Sequence, residues 1–249
     1  MTARIVSRNP AVLSYYAMRK AVGLIALSLP FVLAGGSVVL GLVGDHHTLP
    51  HPMVQRSISD YYYTPMRNYL VGSLCAIAAF LACSRGYDLN DEITGYLAGL
   101  MAFGVGLVPP ANPRGARITA YQVHMGYAHT AFAAMMFLVL SYFCIFLFRR
   151  SSPENPSTKR KRHRNKIYGA CGLTMIGCNL ALVALTVSAL MRRHHPSPFL
   201  FWVESAALAA FGVAWLTKGE GILKDKPYNH NHNHNHVKHG ENGTAHAVG

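Results

Sequence analysis

His129 and Glu204 stand inside long apolar blocks of this chain, and a dense polar run, Ser57-Ile58-Ser59-Asp60-Tyr61-Tyr62-Tyr63-Thr64-Pro65-Met66-Arg67, comes just before another such block. An ionisable side chain is costly in hydrocarbon, so it turns toward a protein interior or a wet cavity and marks a site by default. Imidazole titrates in the physiological range and can move a proton or hold a metal. The Arg67 guanidinium can fork onto a phosphate or carboxylate. At 1.5 Å per residue, His129 and Glu204 lie roughly 9–12 Å below the ends of their helices, at matching depth. His124 shares the block of His129, but five residues at 100° each turn it about 140° away, so at most one of the two belongs with Glu204. His129 continues into Ala133, Met136, Leu140 and Phe143, and Glu204 into Leu208, Phe211 and Trp215. The spacing of three or four is that of a packed helix face, which aims both polar groups into a bundle. The bland counterpart is a structural pair ordering two helices, worth about 1–2 kcal/mol. For the tyrosines it is an aromatic belt at headgroup level.

The elements that must carry these residues follow from composition. Of 249 residues, 51% are hydrophobic and 13% charged, against about 25% charged in an ordinary soluble domain. The apolar residues gather into blocks near 21–43, 68–84, 93–109, 121–148, 167–191 and 199–217, long enough to cross a bilayer core of about 30 Å. Lipid offers backbone groups no partner, so each block must be a helix. The expected fold is all-α, a polytopic six-transmembrane-helix bundle over 21–220, with residues 1–20 as a cytoplasmic N-terminus and 221–249 as a disordered His/Asn-rich cytoplasmic tail. Thr64-Pro65 and Ser197-Pro198 place a capping hydroxyl before a proline, and Asn90 or Asp91 can cap the third span. Pro30 and Gly35-Gly36 are expected to bend the first. Gly95-x-x-x-Gly99 offers a close-packing face, a pattern that more often serves internal packing than dimerisation.

A net charge of +13 would suggest nucleic acid in a soluble protein. Here the cations lie between apolar blocks, 17 Lys and Arg on one side of the expected bundle and 6 on the other. The positive-inside rule then puts both termini in the cytoplasm of a multi-pass cell-membrane protein, with no nucleic-acid partner. The densest run, Lys159 to Arg164, reads as a topology determinant that can also touch anionic lipid. The five cysteines lie in or beside apolar blocks without a C-x-x-C pair, against a disulfide framework. The tail histidines, His230 to His236, can chelate metal, but no function is based on them. Glycine-rich phosphate loops and soluble nucleophilic triads are missing, and no duplication of three spans is visible.

The stretches "SISDYYYTPMRNYLVGSLCAIAAFLACSRGY" (57–87), "GYAHTAFAAMMFLVLSYF" (126–143), "KRHRNKIYGACG" (161–172) and "FWVESAALAAFGVAWLTKGE" (201–220) resemble a widespread group of uncharacterised bacterial six-span membrane proteins. More distantly, the S-I-S-D loop, a histidine in the fourth span and W-x-E in the sixth resemble the DRAM/FRAG superfamily. That superfamily includes autophagy modulators, a lipid-remodelling factor and a regulator of lipid asymmetry. The resemblance implies a lipid-linked function. It marks Ser57, Ser59, Asp60, Tyr62, Arg67, His129 and Glu204 as one external polar cluster, with Lys218-Gly219-Glu220 closing the last helix.

Three functions are compatible with these residues. The leading one is a non-enzymatic membrane protein whose external-leaflet pocket holds a lipid headgroup, needing no cofactor, with membrane lipids as partners and membrane helices that leave room for a homo-oligomer. The second is an intramembrane zinc-dependent amidase or esterase similar to the ceramidase-type enzymes, with Asp60, His129 and Glu204 as ligands and an open water position. It lacks the H-x-x-x-H pair that pattern expects. The third is a proton-coupled transporter or channel using His129, for which the spans supply no polar file.

Overall fold

The computed structural model describes residues 10–43, 54–84, 88–112, 119–150, 159–192 and 199–219. The histidine-rich tail, the Ser197-Pro198 cap and the arginines of the first nine residues lie outside them. The described residues form six α-helices and no strand: α1 (Pro10–Val43), α2 (Arg67–Ala82), α3 (Leu89–Leu107), α4 (Ala120–Tyr142), α5 (Lys159–Arg192) and α6 (Phe199–Lys218). Each helix packs on its neighbours in sequence and α6 closes on α1, so the six form a ring around a common core. Four of them, α1, α4, α5 and α6, are long and apolar enough to cross a membrane. The apolar helix α2 is shorter at 16 residues, and α3 spends its first turn on Asp91 and Glu92.

The boundaries depart from the sequence expectation where charged residues continue a helix. α1 starts at Pro10 and includes Arg19 and Lys20. α5 starts at Lys159, so the basic run is helical and continuous with the apolar part. Lys and Arg are good helix formers, and their long stems let a helix continue past its apolar stretch. Asn90 and Asp91 are not the cap of α3, because Asp88 occupies that position. The Asp88 carboxylate instead meets Arg150 at 2.7 Å. α1 runs unbroken through Pro30 and Gly35-Gly36. α4 opens with a capping box that the sequence reading missed: Gln122 N–H donates to Thr119 Oγ1 and Thr119 N–H to Gln122 Oε1.

Glycines set the close crossings. A Cβ on Gly99 would stand 2.8 Å from the Ala78 carbonyl oxygen, and one on Gly95 3.1 Å from that of Leu81. The Gly95-x-x-x-Gly99 face is therefore spent inside the chain, against α2. Gly23 and Gly212 meet in the same manner where α1 crosses α6. At one end of the ring Trp215 is enclosed by Phe143, Phe148 and Phe211. At the other end, where α2, α4 and α6 begin, Tyr69, Tyr121, Tyr127, Phe199 and Trp202 are exposed. The large side chains Phe31, Leu100, Phe146, Leu173 and Leu180 are exposed around the flanks, an apolar outer surface that suits lipid.

Candidate functional site

The loop between α1 and α2 folds inward over the mouth of the ring. Its core is a short 3-10 helix, Ser59–Tyr63, and its anchor is Tyr61, whose side chain is fully buried beside Phe201. Burial pushes the Tyr61 phenol above its ordinary value, with the Gln55 N–H opposing the shift. Tyr63 donates to the Pro110 carbonyl at 2.6 Å, and Phe201 N–H, in the first turn of α6, donates to the Arg56 carbonyl at 2.7 Å. An N–H that α6 itself could not satisfy is thereby paired. The tyrosine run is thus largely a loop core, and the aromatic fringe at that end comes from other residues.

Glu204 holds this loop to α6. Ser57 Oγ lies 2.8 and 2.9 Å from the two carboxylate oxygens, and Ile58 N–H donates to Oε2 at 2.5 Å. His129 holds it to α4: Nε2 lies 2.9 Å from Ser59 Oγ, and Nδ1 lies 2.8 Å from the Val108 carbonyl oxygen. A carbonyl only accepts, so Nδ1 carries a proton, and in the neutral ring Nε2 accepts from Ser59. Ser59 N–H donates to Ser57 Oγ at 3.1 Å. An unbroken chain of hydrogen bonds therefore runs from Val108 through His129, Ser59 and Ser57 to Glu204.

The Val108 carbonyl had a faint signal in the sequence. Pro109 and Pro110 follow it and supply no N–H, so the chain leaves α3 extended at Val108 with this oxygen turned from the helix ladder. Gly126, one turn before His129, lets that segment lie against α4, since a Cβ there would stand 2.8 Å from the Ala111 side chain.

Beneath the chain is a cavity of about 60 Å³ to which all six helices contribute. Ser59, Tyr62, His129 and Glu204 form its polar end, while Leu29, Leu74, Val105, Met136, Phe137, Leu182 and Leu208 form its apolar walls. Of the expected cluster, Ser57 is buried just behind this lining. Arg67 is exposed and reaches back, its guanidinium 4.3 Å from the centre of the Tyr62 ring and donating to the Tyr62 hydroxyl at 2.8 Å. Asp60 lies on the same 3-10 helix but does not line the cavity. His124 is exposed and bonds the Ala120 carbonyl of its own helix, as the angular argument requires. Among the described residues no three His, Cys, Asp or Glu side chains group as a metal site. Asp60, His129 and Glu204 accordingly do not converge, because the loop stands between the last two and occupies their polar atoms.

Comparison of the chain with protein-family models, curated proteins and solved structures returns no match.

Proposed function

We propose that the protein is a six-span integral membrane protein, both termini cytoplasmic, whose central cavity takes the junction between headgroup and chain of an amphiphilic lipid from the external leaflet, the rest of the lipid staying in the bilayer. The observation that carries this reading is the cavity's division into a polar mouth and an apolar floor, which matches a headgroup above an acyl chain. Binding pockets are commonly apolar with a few placed polar groups. Orientation rests on the Lys and Arg imbalance, which leaves the loop of Ser57 to Arg67 outside. The two helices that fall short of the length and polarity of a free-standing span pack against each other, and packing inside protein relaxes those demands. In this reading Arg67 meets a phosphate at the rim, and Ser59, Tyr62 and His129 meet ester or hydroxyl oxygens below it.

The test is mass spectrometry of lipids that co-purify with the full chain in mild detergent. Ala133→Val, on the cavity wall, and Arg67→Ala, at the rim, should each lower bound glycerophospholipid per chain while thermal unfolding stays close to the parent. Equal lipid content in both variants overturns the reading.

A further inference from the structure

We infer that Ser59 and His129 are a nucleophile and its general base, and that the site transfers the acyl group of a long-chain lipid ester to water. This rests on the lipid reading of the same cavity and goes beyond a binding role alone.

Three features of the geometry carry it. Ser59 Oγ and His129 Nε2 are 2.9 Å apart, within the reach that nucleophilic catalysis requires of a hydroxyl and its base. The far side of the ring is held by the Val108 carbonyl at 2.8 Å. That bond selects the tautomer whose free lone pair faces the serine, the part a carboxylate plays in a three-residue arrangement. Both groups also open on the cavity, where the first carbons of an acyl chain against Leu74, Met136 and Leu208 would bring its carbonyl to the polar end. Tyr62 lines that end as well. Its oxygen accepts from Arg67, which leaves its own proton to donate to the oxygen that becomes negative. A hydroxyl already accepting a charge-assisted bond is the stronger donor.

The nucleophile and base come from separate elements, and each is fixed independently. Ser59 is tied through Ser57 to Glu204 of α6, while His129 belongs to α4. Glu204 is a positioning residue here, since its oxygens are filled by Ser57 and Ile58.

In the first step Ser59 Oγ attacks the ester carbonyl as its proton passes to His129 Nε2. The carbon–oxygen bond to the lipid alcohol then breaks, and that alcohol leaves with the proton from Nε2. In the second step water attacks the acyl-serine, giving a proton to Nε2. The Ser59 ester bond breaks, the fatty acid departs, and the proton returns to Ser59 Oγ.

A long-chain alkyl fluorophosphonate is the probe: Ser59 Oγ displaces fluoride and keeps the phosphonyl group, which peptide mass spectrometry locates. The full chain in detergent micelles should be labelled at Ser59, and should release p-nitrophenol from a long-chain p-nitrophenyl ester. Ser59→Ala should abolish both. His129→Gln keeps a polar side chain but has no base of suitable strength, and should slow labelling by about 100-fold or more, the usual contribution of a general base. Tyr62→Phe should slow ester cleavage by about 10-fold or more as a lost oxyanion donor. His124→Ala should match the parent. Thermal unfolding of every variant shows that it is folded. Failure of folded parent protein to label at Ser59, or equal labelling after His129→Gln, overturns the inference. If co-purified lipid persists in that case, the pocket reading stands alone. If Ala133→Val and Arg67→Ala also leave lipid unchanged, both fall.

Discussion

His129 and Glu204 are joined by a relay of two serines: Ser59 bonds the imidazole and Ser57 bonds the carboxylate, with Ser59 N–H closing the link at 3.1 Å. The loop is consequently a component of the bundle, clamped to α4 at one serine and to α6 at the other. Three hydrogen-bond distances to one carboxylate and two to one imidazole hold the roof over the cavity.

Glu204→Ala removes the clamp to α6 and leaves Ile58 N–H and the Ser57 hydroxyl without their acceptor. An intramolecular hydrogen bond contributes about 0.5–1.5 kcal/mol net, and with two donors losing their acceptor the expected loss is about 2 kcal/mol in all. Thermal unfolding in detergent reads it. Proteolysis should cut first near residues 57–63, and an unchanged cleavage pattern would show that the loop is held by Tyr61 alone.

The helix crossings give a sharper contrast. Gly99→Leu drives a side chain into the backbone of α2, whose Ala78 oxygen already lies 2.8 Å from the Cβ position. Overpacking of this kind costs typically about 1–3 kcal/mol. Gly35 has nothing within 4 Å of its Cβ position, so Gly35→Ala should hold stability or raise it by about 0.5–1 kcal/mol through lost chain freedom. Equal effects at the two glycines would contradict the α2–α3 contact.

Gly126→Val tests how the Val108 carbonyl reaches His129. A branched side chain would push residues 110–112 from α4 and take Val108 with them. The expected result is weaker order in the imidazole: its 15N signals should move away from the Nδ1–H tautomer toward the mixture of a free ring. Retention of a single Nδ1–H signal would mean the carbonyl contact does not depend on this approach.

Orientation can be checked by labelling. In a Cys83→Ser background, Val54→Cys should react with a membrane-impermeant maleimide from outside intact cells, and Arg160→Cys only after permeabilisation. Val54 and Arg160 are both exposed. The reverse pattern would invert the assignment of faces.

Much of this architecture was legible in the residues themselves. The apolar blocks had to be helices because hydrocarbon leaves an N–H no alternative, and helical periodicity aimed His129 inward and His124 away. The glycine spacing on α3 announced a close crossing, although not its partner. What composition and period could not reveal lies between elements far apart in the chain: residues 57 and 204, and 59 and 129, meet only because six helices close into a ring and a loop folds over its mouth. Helix ends also escaped, since a basic or acidic residue reads as a break in hydropathy while its backbone continues the helix. The donor and acceptor that complete the site, Ile58 N–H and the Val108 carbonyl, belong to the backbone, which is alike at every position. Only the tertiary structure decides which of those groups is free to face a side chain.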